Sequence, residues 1–206
     1  MIRVLAFLAG DRRGGSAAEF ALVLPLLIIL LFGILDAGRW MWESNQQEKA
    51  TQAAARWAVV TDPVFSGLES FSFATDYSSP ITGGDIVPAA DFGGAVCTNT
   101  SCNCTGSACG EINYSHDAAA FDAIRQMIAY HYRPVPPENL TIRYDNVGLG
   151  FSGDPNGPDV APLVTVELTG LSFTPLFFQI LGINAIPMPD IATALTAEDM
   201  TGDYSN

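Results

Sequence analysis

"RRGGSAAEFALVLPLLIILLFGIL", Arg12 to Leu35, sets two arginines and two glycines ahead of one carboxylate, Glu19, and then a long apolar run. From Phe20 to Leu35 no side chain is charged, and counting from Ala17, with Glu19 as the one exception, gives 19 residues. A bilayer-crossing helix needs about 20 mainly apolar residues, so the run is long enough to span. No face of it is polar, which argues against a core helix of a soluble domain. A cleaved secretory signal does not fit either. Thirteen residues precede the glycines, and "ILDAGRW" (Ile34 to Trp40) offers no small-x-small cleavage site behind the run. A twin-arginine signal at Arg12 and Arg13 is not supported by the Gly14 and Gly15 that follow.

The flanks orient the span. Arg3, Arg12 and Arg13 lie before it and Arg39 and Lys49 after it, a balance that places the N-terminus in the cytoplasm. Trp40, Met41 and Trp42 suit an interfacial aromatic belt and put the membrane exit near residue 38. Beyond it Gln46, Ala50, Ala53, Trp57 and Val60 recur at steps of three and four, so the helix is expected to continue as an amphipathic extension. Asp62-Pro63 ends it, because the residue before proline is driven from helical geometry. A helix from about residue 16 to 60 would be roughly 65 to 70 Å long. Pro25, inside the span, is expected to shape the helix and to carry no chemistry.

Glu19 has a structural and a functional explanation. In the first, Ser16-Ala17-Ala18-Glu19 is a capping box: Ser16 accepts from the backbone of Glu19, whose carboxylate reaches back to Ser16. In the second, an ionised acid carried into lipid costs several kcal/mol unless it is paired, so it marks a partner.

The residues upstream speak for the partner. Arg12 to Phe20, followed by an apolar helix, resembles the processing site of type IV-like prepilins. In that family a membrane-embedded prepilin peptidase cuts after a glycine at the cytoplasmic face, and a glutamate is fifth in the mature chain. Cleavage between Gly14 and Gly15 makes Glu19 fifth. More closely, "SAAEFALVLPLLIILLFGILDAGRWMW" (Ser16 to Trp42) looks like the opening of TadE-like pseudopilins of the tight-adherence (Flp) pilus system. "PLVTVELTGLSFTPLFFQILG" (Pro162 to Gly182) and "IATALTAEDM" (Ile191 to Met200) resemble that family's C-terminal part more loosely.

The resemblance implies a non-enzymatic minor pseudopilin of the inner membrane, taking part in assembly of a Tad/Flp-type adhesive pilus. Its partners would be the bilayer, the peptidase, other pilin-like subunits and the Tad assembly machinery. Residues 1–14 would be a cytoplasmic leader held by Arg12 and Arg13. Residues 15–61 would be the span and its extension, and 62–206 an exported domain. Glu19, beside Phe20, would meet the new terminal amine of a neighbouring subunit. The competing expectation is an unprocessed, membrane-anchored protein whose exported domain binds an extracellular ligand or surface.

From Asp62 onward only Arg125, Arg133 and Arg143 stand against 17 acids, a formal −14. Such a surface repels phosphate backbones, which excludes nucleic acid as a partner. Residues 62–115 are rich in Ser, Gly, Asp and Thr with scattered Phe65, Phe71, Phe73 and Phe92, and read as loops with short strands. Ser115 can cap a helix over about 117–132 with Phe121, Ile124 and Ile128 on one face. "NLTIRYDN" alternates Leu140, Ile142 and Tyr144 against polar residues, and "LVTVEL" alternates Val164, Val166 and Leu168. These predict half-buried antiparallel strands, joined by the loop from Gly148 to Pro162. The fold class is therefore α+β.

"FTPLFFQILGINAIPMP" (Phe173 to Pro189) is interrupted by Gln179, Asn184 and three prolines, which rules out a second span. It is expected to be core, or a lid over the sheet, in preference to a patch exposed for a partner or the membrane surface.

Cys97, Cys102, Cys104 and Cys109, spaced C-x4-C-x-C-x4-C, lack zinc-knuckle spacing and read as two disulfides. Cys97–Cys102 with Cys104–Cys109, or the crossed pairing, both satisfy the spacing. Either requires an oxidising compartment, in the periplasm or outside the cell. No cofactor is implied. His116 and His131 lie near or on the expected helix and read as surface or core residues, and "GFSGD" (Gly150 to Asp154) misses the nucleophile-elbow spacing. Asp154, Asn156 and Asp159 lack the EF-hand pattern and read as a polar turn.

Overall fold

The computed structural model describes residues 15–197 and Met200. Arg12, Arg13 and Gly14 lie outside the described residues. Helix α1 is Gly15–Ala58, continuous through Pro25. Ser16 lies within α1, with helical Gly15 before it, and so does not stand at the N-cap position that the capping box requires. The last turn tightens before Pro63: the Val60 N–H donates to the Trp57 carbonyl, which also accepts from the Thr61 hydroxyl.

The chain folds as two compact units whose boundary falls inside α1. One holds residues 15–42 and Phe173–Ile186; the other holds Glu43–Ser172 and the described residues from Pro187 onward.

In the second unit the strands are β1 (Phe65–Ser66), β2 (Gly94–Cys97), β3 (Cys102–Thr105), β4 (Ser115–His116), β5 (Leu140–Asp145), β6 (Leu163–Leu168) and β9 (Ile191–Thr196). Among the described residues the largest sheet has the order β3-β2-β5-β6-β9, with every pair antiparallel. The two strands expected from alternation are its centre. Leu140, Ile142 and Tyr144 face Leu168, Val166 and Val164 in register, and all six are buried. Full burial of such side chains contributes about 1.5 to 3 kcal/mol each, which fixes the register because a one-residue slip would expose all of them.

Helix α2 (Ala118–His131) buries Phe121, Ile124 and Ile128, as the period predicts. Its cap is Asp117, whose carboxylate accepts from the Ala119 and Ala120 N–H groups. Ser115 is committed to β4, which pairs with β1, and so cannot cap. The scattered phenylalanines of the loop-rich region converge in the core. Phe65 lies 6.1 Å from Phe92 and 6.5 Å from Tyr144, and Phe73 packs edge-on against Phe71 at 5.0 Å.

The disulfides are Cys97–Cys102 and Cys104–Cys109. Cys97 and Cys102 are cross-strand partners on β2 and β3, with Cα atoms 4.0 Å apart, so the sheet itself selects this pairing. The polar loop near Asp154 is a structural turn. The buried Asp159 carboxylate accepts from the Phe73 and Asp154 N–H groups, and Asp154 accepts from Asn156 N–H.

Candidate functional site

The second unit grips the C-terminal part of α1 by a face other than the expected one. The buried positions are Gln47, Ala50, Thr51, Ala54, Ala55 and Ala58, spaced at three and four, whereas Trp57 is half-buried and Val60 exposed. Of the expected stripe only Ala50 is shared. Large side chains suggested the wrong face, and alanines, which let a helix lie close to its neighbours, are what the domain encloses. The polar members of the stripe reach across to the domain: Thr51 Oγ1 lies 3.1 Å from Thr193 Oγ1 of β9, and Gln47 Nε2 donates to the Tyr132 hydroxyl at 2.9 Å, while the buried Gln47 Oε1 has no hydrogen-bond partner among the described residues.

Tyr132, just past α2, in turn donates to Glu43 Oε1 at 2.7 Å, and Arg133 pairs with the same oxygen at 3.2 Å. Burial, with the adjacent Glu43 carboxylate, pushes the Tyr132 phenol up to about 12 despite the lowering effect of its Gln47 bond. It therefore stays a neutral donor across the physiological range.

The first unit carries the apolar face. No residue of the most apolar 18-residue window of α1 is buried. Phe20, Leu22, Leu26 and Leu30 are among its exposed side chains. Among the described residues α1 alone is long and apolar enough to cross a membrane. Gly15, the first described residue, has open space where a Cβ would stand, and Glu19 lies exposed one turn on, beside Phe20. Pro25 has no N–H to offer the Ala21 carbonyl, the acceptor one turn back in a regular helix.

Near the other end of the span the sequence reading missed a buried acid. Asp36 is 2% exposed. Its Oδ1 accepts from Leu176 N–H at 2.9 Å, and its Oδ2 accepts from Phe177 and Phe178 N–H at 2.9 and 3.1 Å. Arg39, one turn on, lies 3.5 Å from Oδ1 and places its guanidinium over the Phe173 ring. Phe177 stacks on Phe32 at 4.0 Å, and the Phe178 ring passes Gly33 so closely that a Cβ there would meet it at 3.3 Å.

The stretch Phe173–Ile186 is thus bound to the apolar helix, and the expectation of a core segment or a lid over the sheet is corrected. Backbone donors, which no hydropathy pattern reports, decide the matter. A signal was present in the sequence: an acid with an arginine three residues on, closing an otherwise uncharged run.

The described residues thus hold one long, exposed apolar helix of a length and composition suited to crossing a membrane, with an acid, Glu19, near its N-terminal side. The family model of TadE-like proteins matches residues 14–56, and so coincides with α1. No curated protein and no solved structure matches the chain.

Proposed function

We propose that the protein is a non-enzymatic minor pseudopilin that takes part in assembling a Tad/Flp-type adhesive pilus, after a prepilin peptidase cuts between Gly14 and Gly15. The observation that carries this reading is the coincidence of the TadE-like match, residues 14–56, with α1, on which Glu19 lies exposed. Residues 1–14 are the cytoplasmic leader, with Arg12 and Arg13 holding the segment's start at that face. Residues 15–61 form the span and its extension, and residues 62–206 are exported. Two disulfides in the domain support export, since they persist in oxidising compartments.

Cleavage creates an ammonium at Gly15. In the bilayer the Glu19 carboxylate, exposed on its helix, is stabilised by such a cation from a neighbouring subunit, with Phe20 packing beside the pair. The partners are therefore other pilin-like helices and the machinery that draws α1 out of the lipid. Co-expression with a prepilin peptidase tests the proposal. A shortened band should appear with the wild-type chain and vanish with Gly14→Ala, and an unchanged band with both would overturn it.

A further inference from the structure

The segment that Asp36 holds has a consequence for membrane topology. Between Leu171 and Pro189 there is no Asp, Glu, Lys or Arg. Ile180 is 83% exposed, Leu181 62% and Leu176 57%, an unusual outward display for residues of this type. They do not stand alone. Ile180 and Leu181 line one apolar cleft with Ile28, Ile29 and Phe32, residues of the span itself.

From its latch at Asp36 the segment runs back along α1 past Gly33 and Phe32 to Ile28, away from the aromatic belt at Trp40 and Trp42. Ile28 and Ile29 precede Trp40 by 12 and 11 residues, about 17 Å along the axis at 1.5 Å per residue. A hydrocarbon core is about 30 Å thick, so that depth is near its middle.

Irregular backbone survives in lipid only where its polar groups find partners within the protein. Six backbone N–H groups of this segment find such partners. The Asp36 carboxylate takes the N–H groups of Leu176, Phe177 and Phe178. Those of Ile180, Gly182 and Ile183 donate to the carbonyls of Phe177, Gln179 and Phe178. Short strands β7 (Ser172–Phe173) and β8 (Ile186–Pro187) pair to close its two ends.

We propose that residues 174–185 form a second membrane-embedded element, a re-entrant hairpin whose Ile180 and Leu181 lie among lipid acyl chains of the leaflet on the Trp40 side. Asp36 is the positioning residue that replaces water for its backbone. The inference rests on α1 crossing the bilayer and is independent of cleavage at Gly14. The helix and the hairpin enter and leave lipid together.

The test uses the full chain. All four native cysteines are in disulfides, so an introduced cysteine is the one free thiol. Ile180→Cys, Leu30→Cys and Asn156→Cys are each labelled with an environment-sensitive fluorophore in phosphatidylethanolamine–phosphatidylglycerol vesicles at high lipid-to-protein ratio. Quenching by doxyl-labelled lipid and by aqueous iodide is then read. The expected result is doxyl quenching at position 180 comparable with that at position 30, with iodide quenching confined to position 156. Asp36→Asn should transfer position 180, but not position 30, from doxyl to iodide quenching.

Iodide quenching at 180 in the wild-type background, with doxyl quenching kept at 30, would overturn the hairpin alone. Protection of 180 from both quenchers would overturn it in favour of a protein covering. Loss of doxyl quenching at 30 would overturn the span and the hairpin together. An Asp36→Asn profile identical to wild type would remove Asp36 from its positioning role.

Discussion

Replacing Tyr144 by Phe removes one oxygen from the middle of the exported domain. Tyr144 is fully buried on β5, opposite Val164 and Ala95, and its hydroxyl oxygen accepts the Val64 N–H at 2.9 Å. Val64 is also fully buried, so no water can replace the lost acceptor. Leaving a buried donor unpaired costs about 1 to 3 kcal/mol, while the ring's apolar packing is unchanged. For a unit of this size that corresponds to a melting temperature lower by roughly 3 to 10 °C.

The pH dependence adds a second readout. Burial raises the Tyr144 phenol above its usual 10.0, so the folded chain keeps it neutral where the unfolded chain releases the proton. The stability this provides is complete below pH 10 and is lost as pH rises through the folded value. Thermal unfolding of the detergent-solubilised full chain should show a deficit for Tyr144→Phe at neutral pH that narrows above pH 10. An unchanged melting temperature at neutral pH, or a deficit that widens in alkali, would refute the reasoning.

Ala54→Leu should destabilise the domain by about 1 to 3 kcal/mol, because Ala54 is fully buried, and half-buried Ala53→Leu should cost less. Chemical unfolding midpoints of the two variants compare the faces directly. Removing either disulfide by paired Cys→Ser substitution, Cys97 with Cys102 or Cys104 with Cys109, should cost about 2 kcal/mol on loop-entropy grounds, given their short loops. The melting temperature under reducing and oxidising conditions reads this out. Tyr132, held up to about 12, should add a further loss of stability between pH 10 and 12, and Tyr132→Phe should reduce the alkaline slope of the unfolding curve. Glu19→Gln should leave membrane insertion intact but lower the number of assembled pili, counted by electron microscopy. Unaltered pilus numbers would deny Glu19 a subunit partner.

The sequence carried the long-range plan where the physics is periodic. The uncharged run of α1, the alternation of β5 and β6 and the spacing of Phe121, Ile124 and Ile128 each correspond to an element found in the structure. It failed where one position or one backbone donor decides. Ser115 and Asp117 are both good caps, and only the pairing of β4 with β1 disqualifies the first. The grip on α1 runs along alanines that weigh little in any apolar stripe, beside a tryptophan that weighs much. Asp36 was legible as the acid that closes the uncharged run, but its three donors lie 140 to 142 residues away, beyond any local pattern. The register of β2 and β3 brings Cys97 to Cys102 and so resolves a choice that spacing left open.

The central claim is that the chain is matured as a pilin-like subunit, and the N-terminal sequence of the protein recovered from its native membranes tests it most directly. The account predicts a mature chain beginning at Gly15 with Glu19 fifth, lost in the Gly14→Ala variant. A chain still carrying residues 1–14 in both would contradict it and leave an anchored domain that binds at the cell surface.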